Sequence, residues 1–370
     1  MNILHISKFY APYKGGIESV VADLVEGSIK QGHQVDVLCF NNSFVNSNES
    51  FKNHNVFRTR KLFSLFSLPI SFSYLKKIFK IINNYDIVHV HLPNPLSVLG
   101  ICFCKIHAKI VLHWHSDIIE QKTLYLLLKY FHKIALRKAD KIILTSNNYL
   151  ESSEQLFDFH NKCKVIPIGI KGYDELKVDN NSSKVLNPND EIIIFSIGRL
   201  VNYKGFELLI RSSKLLNKNI KVVIGGNGPL KNKLQKLIKD IGVSDTVSLL
   251  GFVSDSELIN YYRNADIFCL PSITRNEAFG VVLLEAMSFS LPIICFNIEG
   301  SGVPWVAKNK YNSIVVDEID ASNLSKSLNL LTSDIDLLKK YSLNSRKRFE
   351  NYFTAAIMQK RVNDLYLEIS

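Results

Sequence analysis

Short apolar runs rich in isoleucine, valine and leucine, each followed by a stretch of helical period, recur along this chain and constrain its fold more than any other feature. Asn2–Ser7, Val35–Phe40, Ile87–His91, Ile110–His113, Lys141–Thr145 and Lys164–Ile166 read as strands in the first half. Ile17–Lys30, Pro95–Ile106, Leu124–Lys138 and Tyr149–Phe157 read as helices between them. Because the runs are continuous rather than alternating, their strands are expected to be buried on both faces, with the helices as crossovers of a parallel sheet. From Asp179 to Asp190 the chain turns polar and breaker-rich, which marks a linker. The pattern then restarts with strands at Glu191–Ile197, Lys221–Ile224, Val247–Leu250, Ile267–Leu270, Ile293–Phe296 and Ile314–Val316, and helices follow Asp320. A chain of 370 residues exceeds what one core usually organises. The expectation is α/β: two Rossmann-like parallel-sheet domains, residues 1–180 and 190–350, facing across a cleft with ligands at the carboxyl ends of strands.

At 46% hydrophobic and 21% charged residues the composition is globular. No apolar run reaches the roughly 20 residues that span a bilayer. Met1–Ile6 lacks a basic region and a cleavage site, so a cytoplasmic protein is expected. Cys39, Cys102, Cys104, Cys163, Cys269 and Cys295 lie mostly in apolar stretches without zinc-type pairing and read as reduced, buried thiols. The net charge of +11 is concentrated in the first half. Phe51–Tyr85 holds no acid; there Lys52, Arg58, Arg60, Lys61, Lys76, Lys77 and Lys80 interleave with Phe57, Phe63, Phe66, Phe72, Tyr74 and Phe79. Such a segment suits a helix lying on an anionic membrane face, gaining about 1 kcal/mol per basic residue near the surface. It equally suits an ordinary amphipathic helix with a solvated lysine face. No nucleic-acid motif accompanies the charge, so no nucleic acid partner is expected.

Chemistry concentrates in Arg275-Asn276-Glu277-Ala278-Phe279-Gly280-Val281-Val282-Leu283-Leu284-Glu285. A helix opening near Gly280 leaves its first N–H groups unpaired and its positive dipole end exposed, which favours a phosphate. Glu277 precedes that helix. Glu285 lies more than one turn inside it, roughly 7 Å along at about 1.5 Å per residue, so the two carboxylates address different parts of one elongated ligand. A carboxylate at Glu285, among Val281, Val282, Leu283, Leu284, Ala286 and Met287, needs a partner. Gly15-Gly16 after the first strand is either a tight turn with positive φ or a place where backbone approaches a phosphate or sugar. His113-Trp114-His115-Ser116-Asp117 ends a strand, where histidines are commonly structural. Gly198-Arg199-Leu200 with Lys204-Gly205 also follows a strand; its cations either clamp phosphate or belong to solvated surface. Gly225-Gly226-Asn227-Gly228-Pro229 and Gly251-Phe252-Val253 read as strand ends and turns.

These segments, in this order and approximate spacing, resemble the large family 4 of retaining glycosyltransferases, which have an E-x7-E signature and the two-lobed GT-B fold. The resemblance covers nearly the whole chain. It implies that Glu277 binds donor-sugar hydroxyls and favours positive charge developing at the anomeric carbon. It implies further that Arg199 and Lys204 stabilise the departing nucleoside diphosphate; removing such a group typically costs roughly 3 kcal/mol in the barrier. His115 would lie beside the donor sugar, with Asp117 orienting it or the acceptor. Gly15, Gly16, Gly226, Ala278, Phe279, Gly280 and Val281 would line the donor, Phe252 and Val253 would meet its base, and Glu285 would hold the ribose. Residues 351–370 would form a helix crossing back to the N-terminal domain. The family is thought to react on one face of the sugar, with the leaving phosphate helping to deprotonate the acceptor, and the resemblance implies no metal or other cofactor. Asp334-Ile335-Asp336 fits the D-x-D metal pattern of the other major glycosyltransferase fold, but it opens an amphipathic helix where acids serve the dipole. Ser290 and Asn312-Ser313 depart from the glycine and Thr-Gly usual in the family, while Gly300-Ser301-Gly302-Val303 keeps backbone donors at a helix start.

His91-Leu92-Pro93-Asn94-Pro95 and the phrase from His115 to Lys122 look most like bacterial mannosyltransferases of surface-polysaccharide assembly. The implied donor is GDP-mannose, with a UDP-sugar as the alternative. The implied acceptor is a glycan or an undecaprenyl-diphosphate-linked lipid at the inner membrane face, where the protein would be peripheral. A nucleotide-sugar epimerase of the same fold would not need the Glu277 motif in this form. A silent scaffold would have lost the phosphate clamp, yet Arg199, Lys204, Glu277 and Glu285 are present.

Overall fold

The structure is a computed structural model that describes residues 1–370 apart from 14, 66–67, 118–121, 173–190 and 218. The expected linker at 179–190, Phe66 and positions 118–121 of the His115 phrase therefore lie outside the described residues. The chain divides into two compact units, Met1–Gly169 with Ala355–Ser370, and Ile170–Thr354.

In the first unit the strands are β1 (Asn2–Ile6), β2 (Gln34–Phe40), β3 (Ser47–Ser50), β4 (His54–Thr59), β5 (Phe63–Leu65), β6 (Leu68–Ile70), β7 (Ile87–Leu92), β8 (Lys109–Trp114), β9 (Lys141–Leu144) and β10 (Cys163–Val165). The main sheet runs β10-β9-β8-β7-β1-β2-β4-β3, and β5 pairs only with β6. All neighbours in the main sheet are parallel except β3 with β4. The chain starts in the middle at β1, winds outward through β2, and then returns to β7 on the other side, so the winding direction reverses between β1 and β7. The helix Ala355–Ile369 belongs to this unit and packs on Gly16–Lys30. Gln359 Nε2 donates to Asp23 O at 2.7 Å, and a Cβ on Gly27 would meet Gln359 Cγ at 2.3 Å, so the helices approach closely there.

The acid-free segment 51–85 departs from expectation. Among its described residues only Phe72–Ile81 is α-helical, opened by Ser71, whose side chain accepts from Tyr74 N. Strand β4 and the β5–β6 hairpin take up most of the rest. Arg58 is buried, not part of a basic face: its Nε donates to Glu49 Oε1 at 2.6 Å, from a β3 residue just outside the acid-free segment. Tyr74 is buried and stacks on Phe40, with ring centres 4.0 Å apart. Phe63, Phe72 and Phe79 remain exposed beside Lys76 and Lys80, while Lys77 Nζ lies 3.7 Å over the Phe57 ring.

The second unit contains β11 (Ile192–Ile197), β12 (Ile220–Gly225), β13 (Val247–Gly251), β14 (Ile267–Leu270), β15 (Ile293–Phe296) and β16 (Ser313–Val316). They form one parallel sheet in the order β13-β12-β11-β14-β15-β16. Here the winding reverses between β11 and β14, and such a point is where open α/β sheets bind ligands. Ile194, Val222, Ile224 and Ile267 of the sheet share a core with Leu209, Leu234, Leu324 and Leu328 of the flanking helices. Burying each such side chain stabilises by about 1.5–3 kcal/mol. All six cysteines are free thiols; Cys39, Cys269 and Cys295 are buried, whereas Cys102, Cys104 and Cys163 keep part of their surface exposed. No helix among the described residues is long and apolar enough to cross a membrane.

Candidate functional site

The reversal between β11 and β14 holds a compact charged cluster. After β11 the chain makes a turn at Asn202–Lys204 and continues through Gly205 at φ 66°. A Cβ on Gly205 would lie 2.0 Å from Pro271 O, so only glycine lets this turn pack against the exit of β14. Lys204 is thereby folded inward, and its Nζ meets Glu277 Oε2 at 2.5 Å. Ser272 Oγ donates to the same carboxylate oxygen at 2.9 Å. The two charged side chains are only 10% and 12% exposed, so each depends on the other for compensation. Sequence reasoning singled out both residues without foreseeing that they bind each other, and it missed Ser272, five residues before Glu277, whose hydroxyl has no distinctive local pattern.

Glu277 is fixed from the backbone side as well. Ser301 Oγ donates to Glu277 O at 2.5 Å, and Gly302 N donates to Ala278 O at 2.8 Å. This corrects the expectation for 300–303. Ser301 N donates to Ile298 O and Val303 N to Ser301 Oγ, so these donors brace the Glu277 loop and are not free for a ligand. Gly280 caps the helix Val281–Ser288 at φ 77°, and Phe279 is buried beneath it.

Glu285, on that helix, has its own partner: Tyr262 OH donates to Oε2 at 2.8 Å. The side chain keeps some surface exposure, yet its carboxyl end lies deep among protein atoms. Burial pushes its pKa up to about 7, against the lowering effect of Tyr262. Tyr262 sits 23 residues upstream on the helix Asp255–Asn264, too distant in sequence for a local pattern to reveal. The two carboxylates thus have separate partners and do not share a proton.

Around this cluster the carboxyl ends of β11, β12 and β13 close into a glycine rim. Gly198 N donates to Gly225 O at 3.1 Å and Gly226 N to Gly251 O at 2.7 Å. A Cβ on Gly226, at φ 133°, would stand 1.8 Å from Gly198 O, so the rim admits no side chain there. Arg199 leaves the rim exposed, with no side-chain partner among the described residues. Phe252 is 79% exposed, and Val253 turns in so that a Cβ on Gly225 would lie 3.1 Å from Val253 Cγ2. At Asp334 the carboxylate accepts from Leu337 N at 2.8 Å and caps the helix Ile335–Tyr352.

In the first unit, Gly15 caps and Gly16 opens the helix Gly16–Lys30. Gly15 has φ 178°, an extended conformation open to any residue, so the positive-φ reading does not hold there. His115 follows β8, 5% exposed. Its Nε2 lies 3.1 Å from His91 Nδ1, and its Nδ1 has no hydrogen-bond partner among the described residues. Asp117 accepts instead from Trp114 Nε1 at 2.8 Å and Ser153 Oγ at 3.0 Å, anchoring the exit of β8. His5 and His89, which sequence reasoning passed over, and His113, which it named only within the motif that ends β8, join His91 and His115 on one face of β1, β7 and β8. Their signal was the spacing of two in His89-Val90-His91 and His113-Trp114-His115, which places each pair on one side of a strand.

Comparison with known proteins agrees with this architecture. Residues 14–171 match Glycosyltransferase Family 4, and residues 177–348 match Glycosyl transferases group 1. The chain is 31% identical over 371 residues to O-antigen chain mannosyltransferase C of Escherichia coli, covering 99% of this chain and 98% of that one. With D-rhamnosyltransferase WbpZ of Pseudomonas aeruginosa it shares 28% identity over 96% of its own length and 93% of the relative's. The crystal structure of Anabaena Alr3699/HepE in complex with UDP matches with a TM-score of 0.76 at 17% identity, covering 100% of both chains. With two parallel-sheet α/β units and both halves matched, the chain belongs to the GT-B glycosyltransferases, a family 4 domain followed by a group 1 domain.

Proposed function

We propose that this glycosyltransferase is a retaining, metal-independent hexosyltransferase that moves mannose from GDP-mannose to a lipid-linked or glycan acceptor in surface-polysaccharide synthesis. The observation that carries the reading is the enclosed Lys204–Glu277–Ser272 cluster at the β11–β14 reversal. There an ammonium offers charge to a departing diphosphate, and a carboxylate offers acceptors to sugar hydroxyls and charge to an oxocarbenium-like transition state. Arg199, exposed at the rim and without a side-chain partner among the described residues, is placed to take a second phosphate oxygen. Glu285 is the ribose acceptor in this reading, Phe252 and Val253 flank the base, and His115 binds a hydroxyl of the donor sugar. The name of the first curated relative favours an O-antigen chain as acceptor and mannose as the sugar. A UDP-sugar donor is the alternative, favoured by the UDP held by HepE. Exposed Phe63, Phe72 and Phe79 beside Lys76 and Lys80 support peripheral contact with an anionic cytoplasmic leaflet.

Thermal stabilisation by GDP, UDP, ADP, dTDP and their sugars, repeated with Glu285→Ala, tests the donor. Selective stabilisation by GDP and GDP-mannose, lost in the variant, is expected. A UDP preference replaces the sugar and keeps the reaction class, and silence towards every nucleotide overturns the reading. Turnover is expected to survive a chelator, since cationic side chains occupy the phosphate-binding role.

A further inference from the structure

The histidines under the β1–β7 reversal are hydrogen-bonded head to tail in two rows. In one, His5 Nδ1 lies 3.1 Å from His91 Nε2, and His91 Nδ1 lies 3.1 Å from His115 Nε2. In the other, Tyr366 OH meets His89 Nδ1 at 2.5 Å, and His89 Nε2 lies 3.2 Å from His113 Nδ1. Ring centres are 5.4 Å apart for both links of the first row, with planes tilted by 20° and 16°. The centre distance exceeds the nitrogen separation by about two ring radii, so the rings meet edge to edge along their N–H directions. Metal–nitrogen bonds are about 2.0–2.1 Å, so no ion fits in line between nitrogens that face one another at this separation. Burial holds all five imidazoles below their usual pKa, hence neutral near pH 7.

A neutral imidazole has one N–H and one bare nitrogen, so each ring in a row dictates the tautomer of the next. The first row has two self-consistent states. Either His5, His91 and His115 all carry hydrogen on Nδ1, or all carry it on Nε2. The row's ends decide between them. His5 Nε2 and His115 Nδ1 are both buried without a partner among the described residues, but His5 is at 0% exposure inside β1, whereas His115, at 5%, lies just past the carboxyl end of β8, where a bound ligand's oxygen can accept. A buried N–H left unpaired is rarer in proteins than an underused acceptor. The bare nitrogen therefore belongs at His5, and the outermost N–H at His115.

We infer that His5 and His91 are positioning residues that lock His115 in the Nδ1–H form, so that it presents a hydrogen-bond donor to an oxygen of the donor substrate. Both halves draw on the reading of His115 proposed above: the substrate role directly, and the tautomer because a ligand oxygen is what pairs the outermost N–H.

Long-range proton–nitrogen NMR on histidine-labelled protein at pH 7.5 tests the inference directly. All three rings are expected in the Nδ1–H form, although free histidine in water prefers Nε2–H. An Nε2–H form at His115 in the unaltered protein overturns it. In His91→Leu nothing donates to His115 Nε2, and His115 should revert to Nε2–H with donor-sugar KM raised about tenfold and kcat changed less. His91→Gln, whose amide can donate to the same nitrogen, should restore both. An Nδ1–H signal in the unaltered protein decides for the tautomer even where a variant fails to fold. That signal with an unchanged KM in a folded His91→Leu keeps the tautomer lock and removes His115 from the sugar site, overturning the substrate half alone.

Discussion

At the winding reversal of the first unit, five imidazoles lie packed and uncharged beneath β1, β7 and β8. At the corresponding point of the second, an ammonium and a carboxylate face each other, with a further carboxyl one helix away. Both sheets wind outward from a central strand and reverse direction beside it, so topology alone does not explain the difference. One position is built from hydrogen-bonding groups that stay neutral, the other from an enclosed ion pair and a carboxyl whose proton burial retains up to about pH 7. Neutral groups suit orienting a sugar hydroxyl; a buried cation suits a phosphate whose charge grows as its bond breaks. The two halves are therefore expected to respond to pH in opposite directions.

Acid gives the largest effect. His5 and His115 have folded-state pKa values held down to about 3, against roughly 6.5 when unfolded. Below about pH 6.5 the unfolded chain binds protons that the folded unit refuses. The stability these residues contribute is complete above that pH and is lost as pH falls towards 3, by about 2 kcal/mol for each such histidine at pH 5. Amide-exchange protection in β7 and β8 should collapse between pH 6 and 5, while β11 and β14 keep theirs. Equal protection in both sheets at pH 5 removes the contrast.

Next comes the ion pair. Lys204→Met leaves Glu277 buried with Ser272 as its one side-chain donor among the described residues, and breaking such a pair from one side costs about 3–5 kcal/mol of stability. Turnover should fall at least 100-fold. The double variant Lys204→Met with Glu277→Gln should recover most of the stability and none of the turnover. Recovery of turnover would show that the charges serve folding and not phosphate departure, and the proposed contrast would fail.

Glu285 supplies the opposite pH slope. Its folded pKa of about 7 lies above the unfolded carboxyl value, so its contribution is complete below roughly pH 4.5 and is lost as pH rises through 7. Glu285→Gln should be no more stable than the parent at pH 4 and more stable by up to about 3 kcal/mol at pH 8. It should bind nucleoside diphosphate more weakly at pH 8, since an ionised Glu285 accepts from two hydroxyls where the amide offers one acceptor. A pH-independent stability difference removes the buried carboxyl from the comparison.

Much of the architecture was legible because each central strand is a continuous apolar run, and parallel strands buried on both faces leave that signature. β3 was not legible: Ser47-Asn48-Glu49-Ser50 is polar throughout and belongs to the sheet only because it pairs antiparallel with β4 at the edge. Missing it also misplaced Arg58, whose carboxylate partner lies on that strand. In the site, residue types were legible and pairings were not. Lys204 and Glu277 stand 73 positions apart, and their contact depends on how Gly205 packs on the exit of β14. Gly15 was misjudged in conformation because a glycine pair after a strand suggests a left-handed turn, whereas the helix here starts directly from extended backbone.

The smallest effect separates stability from site chemistry in the second unit. Ser290 closes the helix that carries Glu285, at φ 62°. Its N–H donates to Met287 O and that of Leu291 to Ala286 O, the paired bonds of a left-handed helix stop that usually ends on glycine. A side chain in that conformation costs about 1–2 kcal/mol. Ser290→Gly relieves that strain, and the extra freedom of glycine in the unfolded chain returns about 0.4–1 kcal/mol of it. The net gain should be near 0.5 kcal/mol, read as a small rise in urea midpoint with unchanged slope. Ser290 touches neither carboxylate, so turnover and the pH dependence of nucleotide binding should match the parent. A change in either would mean that the helix end moves Glu285, so that its ionisation is coupled to the packing around it.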